Sequence, residues 1–240
     1  MPRSALLLAL SLLTWTACSD EAAPEAARGT GEPATPAAAP VTDATEHPGL
    51  RDPSKAVAEA PALFKVEFDT SAGKIVIACE RRWSPHGVDR FYNLVQVGYY
   101  KDVRFFRVVK NFVAQFGQHG DPAVNAAWSA KKIPADPVQA SNAKGALTFA
   151  MTQDPNSRSN QLFINLKNNA GLDNQRFAPI GKVTEGMDVV ERINASYGEQ
   201  PKQDMISKLG NKYLQESFPE LDFIKSARIL ETPAPPEPAK

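Results

Sequence analysis

Between residues 63 and 230 the chain alternates apolar and polar positions in short runs. Phe64, Val66 and Phe68 alternate with Lys65, Glu67 and Asp69, the two-residue period of a strand buried on one face. Ser71-Ala72-Gly73 then turns into the apolar run Ile75-Val76-Ile77-Ala78, which predicts an opening β-hairpin. A helix follows: Ser84 can cap it and Pro85 is tolerated at its first position. Val88, Phe91, Tyr92 and Val95 share one face, and Gly98 stops it. Strand patterns return at 103–109, 112–117, 146–151, 161–166, 177–183 and 223–230. A short helix is predicted at 187–194, with Val189, Val190 and Ile193 inward. Another spans 203–217, where Ile206, Leu209, Tyr213 and Leu214 form a stripe; the insertion at 197–221 that holds it either braces the barrel or serves a partner. Eight strands and two or three helices predict a mainly β domain at 61–231. The expected form is a closed antiparallel eight-stranded barrel capped by the helices, because closure removes exposed sheet edges.

The two ends carry no such pattern. Arg3 and the apolar run at 5–13, interrupted only by Ser11, have the form of an export signal, and the run is too short to span ~30 Å of hydrocarbon. Small residues before Cys18 resemble a bacterial lipobox, although Trp15 stands where an aliphatic residue is usual. Lipidation of Cys18 and ordinary cleavage after Ala17 are the two readings. The stretch 19–60 is dominated by Ala, Pro, Glu, Thr and Gly and predicts a disordered tether, since it cannot bury enough surface to offset its ordering entropy. The tail at 232–240 reads the same way. The expected setting is the periplasmic side of a bacterial envelope, with membrane attachment through Cys18.

Charge and cysteine usage narrow the chemistry. Lys plus Arg and Asp plus Glu both number 27, so no phosphate-neutralising excess points to nucleic acid. With only two cysteines, Cys18 and Cys79, a disulfide framework is excluded by count. Cys79 ends a strand pattern and reads as a buried structural thiol. His47, His86 and His119 are far apart and read as surface or loop residues, so neither a metal nor a cofactor is expected.

The segment Phe106-Arg107-Val108-Val109-Lys110-Asn111-Phe112-Val113-Ala114-Gln115-Phe116-Gly117 places an Arg and a Gln in an otherwise apolar stretch. From spacing alone Arg107 is either a surface residue of an alternating strand or a functional group facing an apolar pocket. The segment resembles the signature of the cyclophilin-type peptidyl-prolyl cis/trans isomerases. Two further blocks are similar to that family and follow in its order. The first is Gly145-Ala146-Leu147-Thr148-Phe149-Ala150 with Ser159-Asn160-Gln161-Leu162-Phe163-Ile164. The second is Leu172-Asp173 followed by the run from Gly181 to Val190.

The resemblance implies an enzyme that isomerises X–Pro bonds in exported proteins and assists their folding, without a cofactor, as a monomer. Its partners would be proline-containing polypeptides. Arg107 would be the catalytic guanidinium, assisted by Gln115 as a hydrogen-bond partner for the substrate backbone. Phe112 and Phe163 would wall the proline pocket and Val113 would line it where the family often has Met. Ala150 would offer backbone contacts, Gln161 would position Arg107 or the substrate, and Leu172 would close the floor. Phe177 stands where the family usually has His or Tyr. Gly171 replaces a frequent Trp, which implies weak cyclosporin binding. Met151 or Thr152 replaces a common Asn, and the loop 153–158 is one residue longer. The alternative reading is a non-catalytic proline-peptide-binding module or envelope chaperone, or a structural envelope protein.

Overall fold

A computed structural model describes residues 46–230. The export signal, Cys18, most of the tether and the tail lie outside the described residues. In chain order the elements are β1 (Leu63–Thr70), β2 (Gly73–Glu80), α1 (Pro85–Gln96), β3 (Val103–Arg104), β4 (Arg107–Val109) and β5 (Val113–Phe116). Then come α2 (Pro122–Ala130), β6 (Ala146–Phe149), β7 (Leu162–Asn165), α3 (Gly171–Asn174) and β8 (Pro179–Glu185). The last are α4 (Met187–Arg192), α5 (Gln203–Leu209), α6 (Asn211–Ser217) and β9 (Phe223–Leu230).

All strands among the described residues join one antiparallel sheet of nine, in the order β3-β9-β1-β2-β8-β6-β7-β5-β4. This corrects the expected closed eight-stranded barrel in two respects. The run 103–109 is two strands, because the chain leaves β9 at Phe105, whose N–H donates to the Asp222 carbonyl, and joins β5 from Arg107 onward. The sheet's two edge strands are thus separated by only Phe105 and Phe106. The sheet must curl until its edges adjoin, and the chain rather than a hydrogen-bond ladder links them.

Alternation sorts the side chains of the curled sheet. Val108, Ala114, Ile164 and Leu147 stand opposite one another across β4, β5, β7 and β6, and all four lie in the main core. Inside, Phe68 meets Phe91, Tyr100 and Phe116 with ring centroids 5.3–6.1 Å apart, the edge-on and tilted contacts that aromatic quadrupoles favour. α1 covers this core with Val88, Phe91 and Val95, as its pattern predicts, and with Leu94, whereas Tyr92, expected on the same face, is only partly buried. Cys79 is buried in β2, and desolvation pushes its thiol far above the ordinary range, so it serves as a structural thiol.

Other differences have local causes. Six short helices stand among the described residues in place of the expected two or three. α2 is a further helix that no expected element covers; Asp121 caps it, its Oδ1 accepting the Ala123 N–H at 2.8 Å. The helix expected at 203–217 breaks at Gly210, whose φ of 59° suits glycine and where a Cβ would overlap the Gly120 carbonyl. Ile206 and Leu214 bury against Phe106 and Leu221, but Leu209 is 45% exposed and takes no part in the brace. The tether also ends earlier than residue 60. Leu50 is buried, its carbonyl accepts the Trp128 indole N–H at 2.8 Å, and Ala58 exchanges two hydrogen bonds with the Asn93 amide. His119 is more enclosed than a surface residue: its ring packs 5.0 Å from Tyr99, and burial lowers its pKa.

Candidate active site

The site grows from the outward row of the same register. Arg107 stands opposite Gln115, Gln115 opposite Phe163, and Phe163 opposite Thr148. Being one residue out of step with the core row, these side chains face the other side of the sheet. The turn between β4 and β5 places Asn111 at φ 57° and returns the chain at Phe112. The Phe112 carbonyl accepts the Leu166 N–H at 2.9 Å and the Asn169 amide at 3.0 Å, and this fixes the ring below the Arg107 guanidinium, 5.8 Å away. α3 supplies Leu172, and the segment after it supplies Phe177, whose N–H donates to the Leu172 carbonyl. The Asp173 carboxylate holds that turn by accepting from Ser141 and from the Asn142 backbone and side chain. Burial alone would raise its pKa, but those donors lower it overall.

Together Arg107, Phe112, Val113, Gln115, Ala150, Met151, Phe163, Leu172 and Phe177 line an apolar cavity of about 170 Å³. Phe163 and Phe177 meet edge-on at 5.8 Å on its wall. Eight of the nine residues expected from the sequence therefore converge here. Gln161 instead lines a neighbouring polar cavity of about 300 Å³, which shares Gln115, Ala150 and Met151 with the first. Gly171 is exposed, with open space where a side chain would stand, so it contributes no wall.

A chain of amides runs from Arg107 across both cavities. Arg107 Nη1 donates to Gln115 at 3.2 Å, Gln115 Nε2 to Gln161 at 2.9 Å, and Gln161 Nε2 to Gln203 at 3.1 Å. Gln118 donates to the same Gln203 oxygen at 3.1 Å. On its other edge Arg107 donates through Nε and Nη2 to Glu199, at 2.6 and 2.5 Å. Arg107 is 26% exposed at the cavity rim.

The polar cavity's far wall is anchored by a buried ion pair. Arg158 and Asp136 are each 2% exposed and 2.9 Å apart. Asp136 also accepts the Ser84 hydroxyl and the His86 and Gly87 N–H groups, so it caps α1 from a distant loop. Burial pushes the Asp136 carboxyl up, but Ser84, Gly87 and Arg158 outweigh it and hold its pKa below the ordinary value. Sequence reasoning missed Asp136, Arg158, Glu199 and Gln203. No local pattern marks any of them, since each meets its partner across a long stretch of chain.

The family model for cyclophilin type peptidyl-prolyl cis-trans isomerase/CLD matches residues 64–211. Among curated relatives, Peptidyl-prolyl cis-trans isomerase cyp18 of Streptomyces antibioticus is 34% identical over 144 residues, which is 55% of this chain and 83% of that one. Peptidyl-prolyl cis-trans isomerase A of Dickeya dadantii is 35% identical over 150 residues, 60% of this chain and 78% of its own. A cyclophilin-type isomerase structure from Cryptosporidium parvum superposes with a TM-score of 0.54 at 20% identity, covering 71% of this chain and 99% of that chain. That likeness bears on the fold alone. The chain belongs to the cyclophilin-type peptidyl-prolyl cis-trans isomerase family and is accordingly an isomerase.

Proposed function

We propose that the chain accelerates rotation about X–Pro bonds in exported proteins, with the proline ring held in the apolar cavity and Arg107 acting on the prolyl amide. The observation that carries this is a guanidinium at the rim of a cavity walled by Phe112, Phe163, Leu172 and Phe177. Amide resonance sets a barrier of ~18–20 kcal/mol, and no bond need break to cross it. In the twisted transition state the prolyl nitrogen regains a lone pair. A hydrogen bond from Arg107 to that lone pair is available only then, so it lowers the transition state relative to both planar isomers. Arg is suited to this because its charge persists and its donors form a rigid fork. The aromatic walls restrain the ring and exclude water, which strengthens the bond. Gln115 and Gln161 hold the guanidinium and offer amide groups to the peptide backbone, and Ala150 lies on the wall shared by both cavities.

The exported setting is part of the proposal and rests on the pattern of residues 1–18; mass spectrometry of the native N-terminus distinguishes a lipidated Cys18 from cleavage after Ala17. The catalytic role is tested by a prolyl isomerisation assay on the full chain beside Arg107→Ala. The variant should lose about 10²-fold in kcat/KM, the scale of one removed transition-state donor, while melting within a few degrees of wild type. A folded wild type that accelerates no X–Pro peptide would overturn the proposal.

A further inference from the structure

The contact between Arg107 and Glu199 has a consequence for substrate choice, which rests on the isomerase reading of this site. Glu199 lies 92 residues from Arg107 in the chain, in the loop between α4 and α5. That loop is tied to β4: the Val108 N–H, next to Arg107, donates to the Gly198 carbonyl at 3.2 Å. Within the loop, Gly198 bonds back to Ala195 and Gln200 to Tyr197, while Tyr197 packs edge-on against Phe218 at 5.2 Å. The backbone therefore sets the carboxylate beside the guanidinium.

The two contacts from Arg107 both end on one oxygen, Oε1. Of the guanidinium's five N–H donors, Nε, one on Nη2 and one on Nη1 are committed to Glu199 and Gln115. One donor on each terminal nitrogen is left for the peptide. Glu199 Oε2 has no hydrogen bond or ion pair with any described residue, and its side chain is 62% exposed. Glu199 lines neither cavity itself, but its open carboxylate oxygen stands beside the guanidinium that does, the group that would attract acidic side chains if it stood alone.

We infer that Glu199 is a specificity-determining residue, which makes the site favour proline segments with Lys or Arg flanking the proline and reject those with Asp or Glu there. A substrate cation reaches Oε2 without displacing Arg107. A substrate carboxylate drawn toward Arg107 meets a like charge already paired with it. Because the pair is partly solvated, the discrimination should be modest and salt-sensitive. Lys132, in the polar cavity beyond Gln115 and Gln161, bears the opposite charge, so test peptides should be uncharged except at the flanking position.

The test compares peptides carrying Lys or Glu immediately before the proline, and a second set with them immediately after. Turnover is read by NMR exchange and Kd by calorimetry, on the full chain and on Glu199→Gln. In at least one set wild type should prefer the Lys peptide about fivefold at low ionic strength, falling toward parity in high salt. Glu199→Gln should bring the ratio to parity or tip it toward Glu, since Arg107 is then unopposed. The idea is overturned if wild type shows no preference in either set, or if a normally melting Glu199→Gln keeps the wild-type ratio. The Kd ratios decide this even if turnover fails, and failed turnover would count against the isomerase reading alone.

Discussion

At the scale of single residues, the site depends on one cross-strand pair and on what holds it. Arg107 and Gln115 are partners in the β4–β5 register, and Gln115 is in turn bonded to Gln161. Gln161→Leu should leave the Gln115 amide, 8% exposed, without its acceptor, and an unsatisfied buried donor costs about 1–3 kcal/mol. Part of that cost should appear as misorientation of the guanidinium. The expected result is about a tenfold fall in kcat with little change in secondary structure, and restoration by Gln161→Glu, which keeps the acceptor. Steady-state kinetics with circular dichroism checks it, and an unchanged kcat would show that Gln115 holds Arg107 without help. The pocket residues were legible because Arg107, Phe112 and Gln115 sit within one short segment whose spacing resembles a family signature. Glu199 was illegible for the opposite reason. A Glu in a polar loop has the same local appearance whether it faces solvent or an arginine.

At the scale of elements, strand alternation and the α1 stripe were legible because each buries one face against a single core. The segment from α5 to α6 was harder. A stripe on one continuous helix would run through Leu209, but the helix ends at Gly210 and leaves Leu209 on its last turn, 45% exposed, while Ile206 and Leu214 are buried. The two positions should respond differently. Leu209→Asp is expected to change stability by no more than about 0.5 kcal/mol, as an exposed substitution does. Ile206→Ala removes a fully buried side chain from the cluster around Phe106, so it should cost about 2–5 kcal/mol. Urea denaturation of both variants tests this; equal costs would mean that the segment does not pack as described. Ile206→Ala should also loosen Gln203, three residues earlier, and weaken the far end of the amide chain.

At the scale of the whole molecule, the nine-strand sheet and its curl follow from long-range pairing, and alternation along one strand does not count the strands around it. The same holds for the Arg158–Asp136 pair, which joins α1, the loop after α2 and the wall of the polar cavity. Neither residue had any local signal. Removing one member strands a charge that is almost fully buried, so Asp136→Asn near neutral pH should cost about 3–5 kcal/mol. Replacing both with apolar residues of similar volume should cost less than the sum of the two single changes, because no charge is then left alone. The pH dependence has a definite sign. The folded-state pKa of Asp136 lies below its ordinary value, so the carboxylate's contribution is complete above the unfolded pKa. It is lost as pH falls through the carboxylate range toward the folded pKa. The stability gap between wild type and Asp136→Asn should therefore be widest near pH 7 and narrow below about pH 4. Urea titrations at several pH values measure it directly. A gap that stayed constant into acid would mean that the carboxylate's charge contributes nothing to the fold, and that Asp136 acts only as a neutral cap for α1.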